Sequence, residues 1–301
     1  LSENKIQWVG SDKEVDITNL EALDEFTESH DASATLTGNS ASRGNASGKI
    51  TWVINCAGYT AVDNAESNQE LAKKLNEDGA RNIARAARRV GAKMIHISTD
   101  YVFDGTSSIP YTEEDVKNPQ SVYGLTKAAG EDAVQKEMTQ YYILRTSWLY
   151  GFEGKNFVYT MTKLMNSKDT ISVVNDQKGS PTCAVDLATV IIKIIVTSQN
   201  AHSLFGKNSA IPYGLYQFTN EGETSWYNFA QKIKEVGKKF KRINQNCTVN
   251  PCSTEEYPTP AKRPAYSTMS KEKIKKALKI KIPSWESSLE NFMKSERFNA
   301  I

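Results

Sequence analysis

Through its first half the chain alternates short apolar runs with stretches whose apolar residues recur every three or four positions. ITWVIN (50–55), KMIHIS (93–98) and YIL (142–144) are dominated by apolar and β-branched residues, as strands buried on both faces of a parallel sheet should be. Between the first two runs lies a helical pattern, with Leu71, Leu75, Ile83, Ala87 and Val90 on one side. Ser67 is placed to cap it and Gly91 to end it. Strand, helix, strand predicts an α/β fold, a Rossmann-like doubly wound parallel sheet. Ligands of such sheets bind beyond the carboxyl ends of the strands, and those ends carry the polar runs 57–66 and 99–105.

Beyond Gly151 the repeat dissolves into a mixed pattern: helix over 157–165, strand over 171–174, helix over 186–197, strand over 216–219 and helix over 226–240. The division predicted is a nucleotide-binding region over 1–150 and a smaller mixed α/β lobe over 151–301, with some chain crossing between them. Pro251, Pro258, Pro260 and Pro264 predict an extended stretch that can lie over a cleft between lobes, followed by two helices. Residues 27–49 are poor in large apolar side chains and read as a mobile surface insertion. Ile6 to Val9 reads as a strand, and Asp16-Ile17 after it precedes a helix.

Charge removes some functions. Lys+Arg 37 against Asp+Glu 35 leaves a net charge of +2, without the basic surplus of a dedicated nucleic-acid binder. The lysines at 271, 273, 275, 276, 279 and 281 read as a solvated helix face. Cys56, Cys183, Cys247 and Cys252 lack paired spacing and have three histidines in the whole chain to join them, so no metal site is expected. Cys56 and Cys183 read as buried thiols of a reducing compartment. No apolar run reaches membrane-spanning length, and the expected location is the cytoplasm.

Thr99 closes one of the apolar runs, and Tyr123 and Lys127 stand four apart on the helix that follows. Reducing a ketone by hydride creates an alkoxide, so a neutral acid must stand at the oxygen. Tyrosine suits that role if a nearby cation lowers its pKa, and a lysine four residues on shares its helical face. Thr99 can hydrogen-bond the same oxygen. Three tyrosines have a base at the fourth place, the others being Tyr141/Arg145 and Tyr159/Lys163, but only Tyr123 follows a Ser-Thr strand end across a glycine- and proline-marked loop. Gly58, Tyr59 and Thr60 end another strand where small residues admit a cofactor, or merely form a turn. Asp16 and Ile17 are placed either to contact an adenine or to cap a helix. Trp148 is either a stacking platform or a half-buried core residue.

Taken together, VDITN (15–19), NCAGYTAVDNAES (55–67), HISTDYVFDG (96–105), VYGLTKAAGE (122–131), RTSWLYG (145–151), NDQKGSPT (175–182), GLYQFTNEGETSWYNFA (214–230) and YPTPAKRP (257–264) resemble the dTDP-4-dehydrorhamnose reductase family of the extended short-chain dehydrogenases. The resemblance implies that Tyr123 is the proton donor, that Lys127 binds the nicotinamide ribose and tunes Tyr123, and that Thr99 adjusts proton affinity. It further implies that Thr99, Asp100 and Trp148 contact a dTDP-sugar, and that Asp16, Ile17, Gly58, Tyr59, Thr60, Tyr123 and Lys127 contact NADPH or NADH. A homodimer is implied, with magnesium at the interface in some members but no ligands for it identifiable here. The expected reaction is reduction of the 4-keto group of dTDP-6-deoxy-L-lyxo-4-hexulose.

Two departures qualify the likeness. The family opens with a strand, a G-x-x-G-x-x-G loop and a helix that hold the cofactor pyrophosphate. This sequence begins at Leu1 where a second strand is expected, so it reads as a piece of a longer chain, with weak dinucleotide affinity on its own. The segment 27–49 is the second departure. Two alternatives accompany the reductase reading: a reductase of another nucleotide-sugar, and a non-catalytic subunit of the same fold resembling the regulatory subunit of methionine adenosyltransferase.

Overall fold

A computed structural model describes residues 6–30, 49–200 and 211–299. Four parallel strands form the main sheet in chain order: β1 (Trp52–Asn55), β2 (Lys93–Thr99), β3 (Tyr141–Thr146) and β4 (Gly214–Gln217). The alternation of side chains across a strand explains why both faces are apolar. Met94 and Ile143 pack into one cluster with Leu23, Ile83, Ala87 and Val134, from the helices Leu20–His30, Gly79–Arg89 and Val122–Glu137. Their neighbours Ile95, Tyr142 and Leu144 face the opposite way, onto Ile191, Ile194 and Ile195 of the helix Ala184–Asn200 and onto Ile274 and Leu278 of the helix Glu272–Leu278. The result is the three-layer α/β arrangement expected.

A separate apolar cluster gathers Val158, Met165, Phe229, Ile233, Leu289 and Phe292 from the helices Phe157–Met165, Trp226–Lys239 and Trp285–Lys294. Beside it Thr170–Val174 pairs in parallel with Thr248–Cys252.

Several expectations are corrected. Ile6 to Val9 is not a strand. The helix Leu20–His30 runs through Thr27, whose hydroxyl turns back to Leu23 O at 2.9 Å, so the expected insertion does not begin there; its remainder from 31 to 48 lies outside the described residues. The helix expected from Ser67 runs unbroken over 69–89, with Asn68 instead of Ser67 at its start and a wide π turn at Lys74–Asp78 between Gln69–Lys73 and Gly79–Arg89. It ends as expected, in a Schellman turn with Gly91 at φ 69° and Ala92 N on Ala87 O at 2.9 Å. Pro251 lies within the strand Thr248–Cys252, in keeping with the extended stretch expected there. Lys271 is buried and paired with Glu221 at 3.6 Å, so the basic run is not wholly solvated. Cys56 is exposed while Cys183 is buried.

Candidate active site

Thr99 ends β2 and begins a one-turn 3-10 helix, Asp100–Val102. Its hydroxyl donates to Asp100 Oδ1 at 3.0 Å and accepts from Tyr101 N at 3.3 Å. After a stretch of loop and turn, Ser121 caps the helix Val122–Glu137 by accepting from Gly124 N at 3.2 Å. A Cβ at Gly124 would stand 2.2 Å from Tyr101 O, and one at Gly130 would stand 2.2 Å from Asn76 O. Only glycine lets this helix lie so close to both turns.

That seat brings Tyr123 and Lys127 to the end of β2. The Tyr123 ring meets Tyr101 edge-on at 5.4 Å between centroids. Loss of solvent raises the Tyr123 phenol above its ordinary value, while a hydrogen bond with Thr99 acts in the opposite sense. Lys127 Nζ donates to Ile97 O at 2.7 Å, and burial lowers it to about 8, opposed by Glu131 and Cys56. Burial outweighs the Thr99 hydrogen bond and disfavours the phenolate form of Tyr123. Asp100 is fully enclosed, and burial raises its carboxyl to about 6 against hydrogen bonds from Ser267 and Thr99.

The loop after β1 forms the facing wall. Asn55 Oδ1 accepts from Ala57 N at 2.9 Å, and Asn76 clamps Tyr59 through both its amide groups, at 2.7 Å to N and 3.2 Å to O. Asn76 Nδ2 also donates to Thr126 on the Tyr123 helix at 3.0 Å. A Cβ at Gly58 would meet Asn76 Oδ1 at 2.9 Å and approach Lys127 Nζ at 3.8 Å, so Gly58 lies directly over the ammonium; Thr60 beyond it is exposed.

A third wall comes from late in the chain. Arg263 pairs with Asp63 Oδ2 at 2.7 Å and donates to the Tyr101 hydroxyl at 3.1 Å, Ala261 N donates to Asp63 Oδ1 at 3.3 Å, and Tyr266 N donates to Gly105 O at 3.1 Å. Residues 261–266 thus strap the turn after β2.

Thr99, Asp100, Tyr123, Lys127 and Gly58 are brought together. Asp16 and Ile17 stand elsewhere, at the head of the helix Gly79–Arg89: Ile17 O accepts from Asn82 at 3.3 Å, and the Ile17 side chain fills the space beside Gly79. Asp16 is exposed and bonded to Thr18, whereas Asn19 caps the following helix through Glu21 N at 3.0 Å. Trp148, at φ 47°, stacks on Trp226 with centroids 3.6 Å apart and packs against the second apolar cluster. The pattern reading missed Asn76, Asp63 and Arg263; the last two sit inside motifs that had been singled out, but nothing in their spacing announces that they meet. Among the described residues no group of three or more His, Cys, Asp or Glu gathers that could hold a metal ion, and no helix is long and apolar enough to cross a membrane.

A doubly wound parallel sheet with a Tyr/Lys helix seated on a strand end defines an oxidoreductase of the Rossmann type. The family model described as the RmlD substrate binding domain matches residues 1–298. The dTDP-4-dehydrorhamnose reductase of Sinorhizobium fredii is 40% identical over 236 residues, 78% of this chain and 77% of that protein. Among solved structures, the Bacillus anthracis dTDP-4-dehydrorhamnose reductase in complex with NADP superposes with a TM-score of 0.81 at 38% identity, over 97% of this chain and 91% of that one. The Clostridium acetobutylicum dTDP-4-dehydrorhamnose reductase gives 0.79 at 40% identity, over 93% and 87%. The chain belongs to the dTDP-4-dehydrorhamnose reductase family.

Proposed function

We propose that this protein reduces the 4-keto group of dTDP-6-deoxy-L-lyxo-4-hexulose to the alcohol of dTDP-L-rhamnose, with NADPH as reductant. The observation that carries the reading is the placement of Tyr123 beside Thr99 at the carboxyl end of β2, one helical turn from Lys127. The residues present suit a nicotinamide nucleotide: Lys127 has two ammonium protons beyond the one given to Ile97 O, and Gly58 leaves its backbone open above them. Gly58, Tyr59 and Thr60 on the facing loop, with Lys127, would hold its ribose end.

When bound, the nicotinamide supplies a hydride to C4 of the sugar and is itself oxidised. Tyr123 Oη gives its proton to O4 as the carbonyl double bond is lost. On substrate binding the Thr99 hydroxyl turns its one proton from Asp100 Oδ1 to O4 and so holds O4 in line with the phenol. The Lys127 ammonium stabilises the phenolate left behind. The relatives' names and the NADP complex of the Bacillus anthracis enzyme support this substrate and cofactor.

Replacing Tyr123 with Phe removes the proton and keeps the ring. NADPH oxidation with the keto-sugar should fall about 10²- to 10⁴-fold in kcat, while the dissociation constant for NADPH stays within about threefold; turnover unchanged in the variant takes Tyr123 out of the reaction.

A further inference from the structure

Glu131 is fully buried one helical turn beyond Lys127, in the middle of the helix that carries Tyr123. A carboxylate so placed needs several donors to offset its desolvation, and it has three. Ser98 Oγ donates to Oε1 at 2.6 Å, while Arg145 reaches Oε1 through Nε and Oε2 through Nη2, each at 2.8 Å. Lys117 Nζ adds a longer contact at 3.6 Å. Ser98 is the residue before Thr99, and Arg145 lies directly across from Ser98 in the β2–β3 register. The guanidinium in turn lies against the Phe103 ring at 4.9 Å. One carboxylate therefore ties the helix to two strand ends, immediately beneath the threonine.

We propose that Glu131 is a positioning residue of the reductase site, fixing the Tyr123–Lys127 face of the helix against Thr99 through Ser98 and Arg145. The inference rests on the function proposed above. The helix touches the end of β2 at three heights: Gly124 against Tyr101 O, Lys127 on Ile97 O, and Glu131 on Ser98. The first is a steric stop and the second is made by a flexible side chain. The third couples one Ser98 hydrogen bond on β2 to a bidentate, charge-assisted pair with Arg145 on β3, and the two together set how far the helix slides along the strands. A buried ion pair of this kind adds little net stability, since its desolvation consumes most of its attraction. Its effect lies in placement.

Glu131 also governs the charge around Lys127. The groups facing that ammonium are Glu131 from its own helix, Cys56 from the loop after β1, and neutral His96 from β2, whose own protonation the ammonium opposes. Removing the Glu131 charge leaves Arg145 as an unpaired buried cation and makes the Lys127 proton easier to lose.

Ser98→Ala deletes one arm of the link without unpairing the ions. It should lower kcat roughly 5- to 20-fold with KM for the sugar little changed and the fold intact by circular dichroism, and Ser98→Thr, which restores the hydroxyl on a bulkier side chain, should recover most of that loss. The second measurement needs no turnover: the nitrogen signal of Lys127, followed by NMR in the free protein, should titrate near 8 in the parent and at least about half a unit lower in Glu131→Gln. An unchanged kcat in Ser98→Ala alongside an unshifted Lys127 titration overturns the positioning role. A parent without turnover, but with the Lys127 shift present, instead points the failure at the proposed reaction.

Discussion

A carboxyl group stripped of water prefers to keep its proton, and Asp100 carries that preference into the wall of the site. Its value rises from 3.8 to about 6 because of burial. In the folded chain the acid form therefore persists up to about pH 6, whereas in the unfolded chain it is lost near 3.8. The cost to folding is fully present above about pH 6 and vanishes as the pH falls toward 3.8. At about 1.4 kcal/mol per unit, the penalty is on the order of 3 kcal/mol. Asp100→Asn carries no such charge, so relative to the parent it should gain most stability above pH 6 and progressively lose that advantage toward pH 4. Denaturant melts across this range give the difference curve directly; parallel curves would mean that Asp100 does not titrate where its burial puts it. At this scale Thr99, Tyr123 and Lys127 were legible in the sequence because strand end and helix face are local patterns. The enclosure of Tyr123 was not, because desolvation depends on what the rest of the chain packs around it.

Elements place these side chains, and the helix Val122–Glu137 does so by close approach. Gly124→Ala would push a methyl to 2.2 Å from Tyr101 O, a contact that only backbone movement can relieve. The expected result is a loss of about 1 to 3 kcal/mol of stability, as for other overpacked sites, with a kcat deficit that cooling does not restore; thermal unfolding and steady-state rates on the same sample check both. The strands were readable because 50–55 and 93–98 are short runs that water cannot be allowed to reach, and the helix Phe157–Met165 matches its expected span. The helix expected after Ser67 is present over 69–89, but periodicity did not announce the π segment at Lys74–Asp78 that carries Asn76 and its bonds to Tyr59. The helix expected after Asp16-Ile17 is present, but composition alone missed that it runs through Thr27, whose hydroxyl bonds back to Leu23 O.

The whole molecule is joined across the site by Asp63 and Arg263, a pair 200 positions apart. Both side chains remain partly in solvent, so the pair contributes at most about 1 kcal/mol. Asp63→Ala should therefore leave the melting temperature almost unmoved while raising amide exchange and proteolytic cleavage within 257–266. Equal protection in parent and variant would show that the contacts not made by Asp63, those of Arg263 with Tyr101 and of Pro264 and Tyr266 with Gly105, hold the strap. No periodicity or spacing could have announced this pairing, since two residues so distant carry no joint signal in one sequence. It has a consequence in time as well as in space. During synthesis Thr99, Tyr123 and Lys127 leave the ribosome before residues 261–266 do, with well over a hundred residues between them. A nascent chain then holds this group open on one side until the last wall has been made. Closing such a distant contact is slow, so the enclosed site is itself a report that the molecule has finished folding.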